Sequence, residues 1–139
     1  ETQVILPRLE SDLADLIDAA VDGRLADVEL SWTDDSCVCV VMASGGYPDP
    51  DYTTGHAISG LADAALADRA TVFHAGTSLR DGHVASAGGR VLGVTALGSD
   101  ISVAVERAYR ACDLIEFHGA HYRRDIGHRA LARLTHGGA

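Results

Sequence analysis

Short apolar runs that are rich in β-branched residues, and that are separated by tight turns, dominate the middle of the chain. The clearest runs are residues 37–43, 71–75 and 90–97, and residues 80–83 have the composition of a hairpin turn. Parallel strands need a crossover connection of about a dozen residues or more, so successive runs joined by short turns favour antiparallel pairing. The sequence therefore predicts a mainly antiparallel sheet.

Helical periodicity flanks this region on both sides. Residues 7–22 place Leu9, Leu13, Leu16 and Ile17 at spacings of three and four, which predicts one amphipathic helix. In the whole protein this apolar face is expected to be buried against a neighbouring domain or the following sheet. Together with the strands, the helices predict an α+β domain whose antiparallel sheet has flanking helices. The other expected elements are a short strand at 56–61, an alanine-rich connection at 62–70, a helix that begins after an N-cap at Ser99, a last strand at 116–118 and a helix at 128–134.

Length and charge narrow the classes of function. The 139 residues are enough for one compact domain, and 47% of them are hydrophobic, which excludes a chain that is disordered throughout. All 11 basic residues are arginine, and the 20 acidic residues give a net charge of −9, so we expect no binding to nucleic-acid phosphates. The longest strongly apolar run is far shorter than the about 20 residues of a membrane span, so no membrane interaction is expected.

The cysteines and histidines could in principle form a metal site or a catalytic site. Three cysteines, an odd number, argue against a disulfide framework, and we interpret Cys37, Cys39 and Cys112 as small buried thiols in a reducing cytoplasm. No cysteine or histidine pair has the spacing of a zinc finger, and no histidine has a recognisable nucleophile or acid partner. We therefore assign no metal ligand and no catalytic residue.

Residues 44–47, with the sequence Ser-Gly-Gly-Tyr, directly follow a predicted buried strand. Consecutive glycines there let backbone N–H groups approach a bound anion or the backbone of a partner. The alternative is an ordinary turn that leaves the sheet.

A second candidate lies at residues 122–127, where Arg123 and Arg124 come just before Gly127 and a predicted helix. Planar guanidinium donors beside the free N–H groups of a helix N-terminus form a combination that binds phosphate. The alternative is a solvated surface pair, or ion pairs with nearby acids.

Several separate motifs, taken together and in order, resemble one enzyme family. They are similar to the C-terminal part of the glycinamide ribonucleotide synthetases, also called phosphoribosylamine–glycine ligases, and they cover nearly the whole chain. The matching motifs are Glu-Thr-Gln at 1–3, Arg-Leu-Glu-Ser-Asp-Leu at 8–13, Val-Val-Met-Ala-Ser-Gly-Gly-Tyr-Pro at 40–48, Val-Phe-His-Ala-Gly-Thr at 72–77, Gly-Gly-Arg-Val-Leu-Gly-Val-Thr-Ala-Leu-Gly at 88–98 and Arg-Arg-Asp-Ile-Gly at 123–127.

The resemblance implies part of a cytoplasmic ATP-grasp ligase of de novo purine synthesis. In that family ATP phosphorylates the carboxylate of glycine, and the amine of 5-phosphoribosylamine attacks the acyl phosphate, while Mg²⁺ or Mn²⁺ neutralises the phosphates. The family's metal ligands and nucleotide-binding domains precede the motif with which this chain begins. We therefore expect ATP, glycine and the metal to bind outside these 139 residues, which should have no ligase activity alone.

The resemblance also implies a division of the chain. Residues 1–30 are expected to be the end of the ATP-grasp domain. Residues 31–136 are expected to form the C-terminal domain, with a sheet similar to the barrel-sandwich C-domains of biotin carboxylase-like enzymes. The alternative function is a stand-alone, non-catalytic module that recognises a ribose phosphate or a partner chain, and the absence of an initial methionine favours the ligase.

The same likeness gives the candidate residues a substrate. In related purine-pathway enzymes a basic pair before a glycine grips the substrate phosphate. This implies that Arg123 and Arg124 bind the phosphate of 5-phosphoribosylamine, with help from the N–H of Gly127. The residues expected to line the same cleft are Gly45, Gly46 and Tyr47.

Overall fold

A computed structural model describes residues 1–67 and 69–136 of the chain. It has five helices and five strands within these ranges, with two short 3-10 turns near the N-terminus. In chain order they are α1 (Thr2–Ile5), a 3-10 turn (Leu6–Arg8), α2 (Leu13–Val21), a 3-10 turn (Leu25–Asp27), β1 (Ser36–Ala43), α3 (Leu61–Leu66), β2 (Ala70–His74), β3 (Thr77–Arg80), β4 (His83–Ser86), β5 (Arg90–Gly98), α4 (Ile101–Asp113) and α5 (His128–His136).

The strands form two antiparallel sheets. The larger sheet has the order β1-β5-β2, so the long strand β5 lies in the centre, with Val94 opposite Val40 on one side and Val72 on the other. The smaller sheet is the hairpin of β3 and β4, which turns at Asp81 and Gly82. The antiparallel pairing and the α+β class expected from the sequence are confirmed.

The core lies between the larger sheet and α4. Alternate residues of β1, Val38, Val40 and Met42, are buried on the face that α4 covers. The helix presents small residues to the sheet, because Ala104 and Ala108 are fully buried. The close approach that small residues allow is needed here: a β-carbon on Gly98 of β5 would lie 2.4 Å from the backbone nitrogen of Ala104.

The N-terminal region differs from the single helix predicted over residues 7–22. The helix is interrupted because Leu9 makes an isolated antiparallel bridge with Trp32, and a new helix starts where Asp12 accepts hydrogen bonds from the N–H groups of Ala14 and Asp15. The predicted apolar face is partly buried within this chain, and its burial in a whole protein stays a prediction. Leu16 is buried, whereas Leu13 and Ile17 are 43% and 55% exposed.

Two predicted short strands and one predicted connection also differ from the structure. Residues 56–61 and 116–118 contribute only isolated bridges, among them Ser59 with Glu116. The alanine-rich connection contains α3, which buries Ala64 against the core. Backbone hydrogen bonds between Ser59 and Glu116, and between Ala43 and His121, hold these segments together with the packing of α3.

Candidate functional site

The guanidinium group of Arg123 is engaged by a carboxylate two residues along the chain. Its Nε and Nη2 donate hydrogen bonds of 2.8 and 2.6 Å to the two oxygens of Asp125. These bonds lower the pKa of Asp125 below its usual value and raise the pKa of Arg123 above its own. Both side chains are exposed, so water competes with the pair and an external anion can reach it.

Arg124 makes looser contacts. Its Nη2 lies 3.3 Å from Oδ1 of Asp113, the last residue of α4, and its guanidinium carbon lies 4.7 Å from the centre of the Tyr122 ring. The hydroxyl of Tyr122 donates to the same Asp113 oxygen. Burial, followed by this hydrogen bond, raises the pKa of Tyr122 to about 12. The stacked ring orients the guanidinium plane while leaving most of its donors exposed.

Tyr109 of α4 fixes the backbone that carries the two arginines. Its hydroxyl donates a 2.8 Å hydrogen bond to the carbonyl of Arg123 and accepts a 3.0 Å bond from the N–H of Ile126. Gly127 follows with a φ of +82°, and its carbonyl accepts the first hydrogen bonds of α5. The structure therefore holds the arginine pair at the N-terminal end of a helix, as the sequence predicts.

Close backbone packing fixes the glycine loop. Ser44 donates from its hydroxyl to the carbonyl of Gly88 and from its N–H to the carbonyl of Gly89, both at 2.8 Å. A β-carbon on Gly45 would lie 3.1 Å from the carbonyl oxygen of Gly119, and Tyr47 packs its ring directly on Gly89. Gly45 therefore lies where two backbone segments approach each other closely, and Gly46 adopts a φ of +93° that favours glycine.

The loop and the arginine pair lie at the same end of the sheet. Ala43, just before the loop, forms a bridge with His121, two residues before Arg123. They border different spaces, however. Tyr47 lines a cleft of about 700 Å³, and neither Arg123 nor Arg124 is among the residues that line it.

The sequence analysis assigned no role to a third arginine, which lines this cleft. Arg90 is the first residue of β5, it is exposed, and its side chain makes no hydrogen bond or ion pair with the residues that the structure describes. The sequence feature that could have indicated it is Gly-Gly-Arg at 88–90, because two residues without side chains precede the arginine.

The thiols and histidines form no obvious reactive centre. Burial, followed by the negative charge of Asp113, raises the pKa of the Cys112 thiol to about 12, and burial also raises the pKa of Cys37, which is only partly buried. Among residues 1–67 and 69–136, no three His, Cys, Asp or Glu side chains are placed to hold a metal ion. The helices within the same ranges are too short or too polar to cross a bilayer.

Comparison with known proteins identifies the family to which this chain belongs. A family model described as phosphoribosylglycinamide synthetase, C domain, matches residues 37–129. The chain belongs to this family. The matched residues of this phosphoribosylglycinamide synthetase C domain include the glycine loop, Arg90 and the arginine pair, and they confirm the resemblance seen in the sequence motifs.

Curated relatives are named phosphoribosylamine–glycine ligase. The relative from Pseudomonas aeruginosa is 51% identical over 133 residues, and that from Allochromatium vinosum is 53% identical over 133 residues. Each match covers 96% of this chain but only 30% and 31% of the relative. The chain therefore spans about 30% of the length of these relatives.

A solved structure extends the likeness to three dimensions. The crystal structure of phosphoribosylamine–glycine ligase from Thermotoga maritima matches with a TM-score of 0.61 and 31% sequence identity. The match covers 79% of this chain and 27% of the solved one. The α+β fold described above is thus similar to one part of a larger enzyme.

Proposed function

We propose that this chain acts as the C-terminal part of a phosphoribosylamine–glycine ligase, where it binds the phosphate of 5-phosphoribosylamine. The observation that carries the proposal is the pair of exposed arginines at the start of α5, inside the stretch that the family model matches. The names of the relatives support the assignment of the ligase reaction. The geometry of the arginine pair supports the assignment of phosphate binding to this chain.

In the proposed reaction, ATP activates the carboxylate of glycine as an acyl phosphate, and the amine of 5-phosphoribosylamine displaces the phosphate. A divalent cation, Mg²⁺ or Mn²⁺, neutralises the nucleotide charges. Both the cation and ATP are proposed to bind to the remainder of the enzyme. The residues of this chain would hold the sugar phosphate, whose binding energy positions the amine for attack.

Arg124 is proposed as the main phosphate ligand. Its single 3.3 Å contact with Asp113 is long for a charge-assisted hydrogen bond. A phosphate that binds the guanidinium therefore replaces only a weak contact. Arg123 must exchange two hydrogen bonds to Asp125 before it can bind, which makes it the secondary ligand. The N–H of Gly127 adds a donor at the positive end of the α5 dipole.

The glycine loop is proposed to border the bound substrate. Its position beside residues 119–121 brings it to the end of the sheet that carries the arginine pair. Gly45 and Gly46 offer backbone without side chains, and Tyr47 offers a flat ring whose neighbour Tyr52 lies edge-on, with the ring centres 6.0 Å apart.

The division of the chain also belongs to the proposal. We propose that residues 1–30 end the ATP-grasp domain and that residues 31–136 form the C-terminal domain, and the start of the family match at residue 37 supports this boundary. A cytoplasmic location is supported by three unpaired cysteines, which suit a reducing compartment. A relative from Arabidopsis thaliana is named as chloroplastic, so the chloroplast is the alternative location.

Measurement of ADP release tests whether ATP binds to the remainder of the enzyme, as proposed, and not to these 139 residues. The 139-residue chain should release no ADP above a blank without enzyme, because ATP and the metal ion are proposed to bind to the remainder of the enzyme. A complete ligase ending in this sequence should release ADP only when glycine and 5-phosphoribosylamine are both present. Glycine-dependent ADP release by the 139 residues alone would contradict the proposal, as would a folded complete protein that needs neither substrate.

A further inference from the structure

We propose that the cleft between Arg8 and Trp32 binds a small carboxylic acid that carries an apolar body. The carboxylate would pair with the guanidinium of Arg8, and the apolar body would pack against the ring of Trp32. This site is separate from the arginine pair, and it does not rest on the proposed function.

The backbone beside Trp32 holds Arg8 at the wall of this cleft. Nη2 of Arg8 donates a 3.1 Å hydrogen bond to the carbonyl of Thr33, and the N–H of Thr33 donates a 2.9 Å bond to the carbonyl of Arg8. The neighbouring residues Leu9 and Trp32 form an antiparallel bridge. The guanidinium is therefore positioned before a ligand arrives, which reduces the entropy that binding costs.

Arg8 has donors that the described chain leaves unused. Its Nε is buried and has no acceptor, and the bond to Thr33 is the one hydrogen bond that the guanidinium makes with residues 1–67 and 69–136. Arg8 also makes no ion pair within these ranges. Buried polar groups are normally hydrogen-bonded, and a planar guanidinium matches the two oxygens of a carboxylate. The unused donors therefore favour a ligand with an anionic group.

The rest of the cleft is mainly apolar. Beside Arg8, the lining residues are Val4, Ile5, Trp32, Ser36, Cys37 and Ile101. None of these described residues is acidic, and the side chain of Trp32 is 42% exposed, so a ligand can reach its ring. The volume of about 510 Å³ is within the range of small-molecule sites. One carboxylate on an apolar body matches this lining, whereas a phosphate dianion would find too few donors.

The cleft lies between the two parts into which the chain is proposed to divide. Ile5 and Arg8 precede the proposed boundary at residue 30, whereas Cys37 and Ile101 belong to β1 and α4. Ile101 is the first residue of α4, and Asp113, which contacts Arg124, is the last, about 18 Å further along the helix axis. Binding in this cleft can therefore be measured apart from the proposed phosphate site.

The fluorescence of Trp32 reports on this cleft, because Trp32 is the only tryptophan in the chain. Titration of the 139-residue chain with 4-methylpentanoate should change the fluorescence saturably. The uncharged 4-methylpentanamide, which has the same apolar body, should have little effect. Arg8→Met should weaken binding of the acid about 10-fold or more, as expected for loss of a charge-assisted hydrogen bond.

Two further variants separate loss of the ligand contact from loss of the fold. Arg8→Lys keeps the charge without the planar fork, so it should weaken binding less than Arg8→Met. Arg24→Met is the matched control, because it removes an exposed arginine of the same N-terminal region that does not line the cleft. It should leave the affinity for the acid unchanged.

Alkylation of Cys37 tests the same site in a complete ligase that ends in this sequence. Cys37 lines the Arg8 cleft, whereas Cys39 lines a different one. Peptide mass spectrometry should show that 4-methylpentanoate slows the reaction of Cys37 with N-ethylmaleimide and leaves the reaction of Cys39 unchanged.

Four results would overturn the site. They are the absence of a saturable fluorescence change, equal effects of the acid and the amide, an affinity that Arg8→Met leaves unaltered, and binding to the 139-residue chain without protection of Cys37 in the complete ligase. The last result would show that the remainder of the enzyme fills the cleft. The ADP assay tests the proposed function separately from each of these measurements.

Discussion

Three side chains lie close to the carboxylate of Asp113. The hydroxyl of Tyr122 donates a hydrogen bond to it, and Nη2 of Arg124 lies 3.3 Å from it. Its negative charge, after burial, helps to raise the pKa of the Cys112 thiol. Burial, and then the hydrogen bond to this carboxylate, raise the pKa of Tyr122 to about 12, and the Tyr122 ring lies against the Arg124 guanidinium. A change in the charge of Tyr122 therefore alters the surroundings of a proposed substrate ligand.

The raised pKa of Tyr122 predicts a loss of stability at high pH. A phenol with a folded-state pKa of about 12 and an unfolded value near 10 stabilises the fold fully below pH 10, and this contribution is lost as the pH rises towards 12. Tyr122→Phe should therefore show a shallower fall in the free energy of unfolding between pH 10 and 12. Urea denaturation at several pH values measures this.

Tyr52→Phe is the control, because the Tyr52 hydroxyl makes no hydrogen bond with the described residues. It should retain the steep fall of the parent chain. Equal slopes for the parent and Tyr122→Phe would contradict a raised pKa of Tyr122 in the folded chain.

Sequence separation explains which of these contacts could be predicted. Asp125 stands two residues from Arg123, and a pairing between them follows from the local sequence. Asp113, the last residue of α4, stands 11 positions before Arg124, so their approach depends on how the chain returns to the helix. Arg90 went unassigned because its isolation in a cleft depends on α1 and Tyr47, which are distant in sequence.

At the scale of elements, α4 is the helix that organises the molecule. It buries four small residues against the sheet and supplies both Tyr109 and Asp113 to the candidate site. Its start is defined by Asp100, whose Oδ1 accepts hydrogen bonds of 2.8 and 3.0 Å from the N–H groups of Ser102 and Val103. The sequence analysis placed this cap one residue earlier, at Ser99.

Removal of the true cap should destabilise the chain. Asp100→Ala leaves two N–H groups without their acceptor and should lower the free energy of unfolding by about 1 kcal/mol. Ser99→Ala is the matched control, since its side chain makes no described capping bond. Chemical denaturation of both variants should show a lower midpoint for Asp100→Ala alone. A larger effect of Ser99→Ala would contradict this assignment.

The elements also show where sequence patterns are sufficient. The long apolar runs of β1 and β5 and the amphipathic α4 were predicted within a few residues, because their periodicity extends over eight residues or more. The N-terminal helix was predicted as continuous because Leu9 fits the helical spacing equally well. Its bridge to Trp32 is a tertiary contact that local periodicity does not contain.

At the scale of the whole molecule, the chain has features of a part within a larger enzyme. It covers about 30% of relatives to which it is 51% and 53% identical, and it exposes large apolar side chains near its start, including Leu13, Ile17 and Trp32. The family could be predicted from the sequence, because several motifs occur in one order. The roles proposed for Arg123 and Arg124 depend on geometry that motifs do not give.

The most direct test of the central claim is the KM for 5-phosphoribosylamine in a complete ligase that carries Arg123→Ala and Arg124→Ala together. Loss of the charge-assisted bonds to the phosphate should raise this KM roughly 10- to 100-fold. The kcat should fall much less and the KM for ATP should stay the same, because the phosphate is remote from the reacting amine and from the nucleotide. A folded double variant with an unchanged KM for 5-phosphoribosylamine would contradict the claim that this pair binds the substrate phosphate.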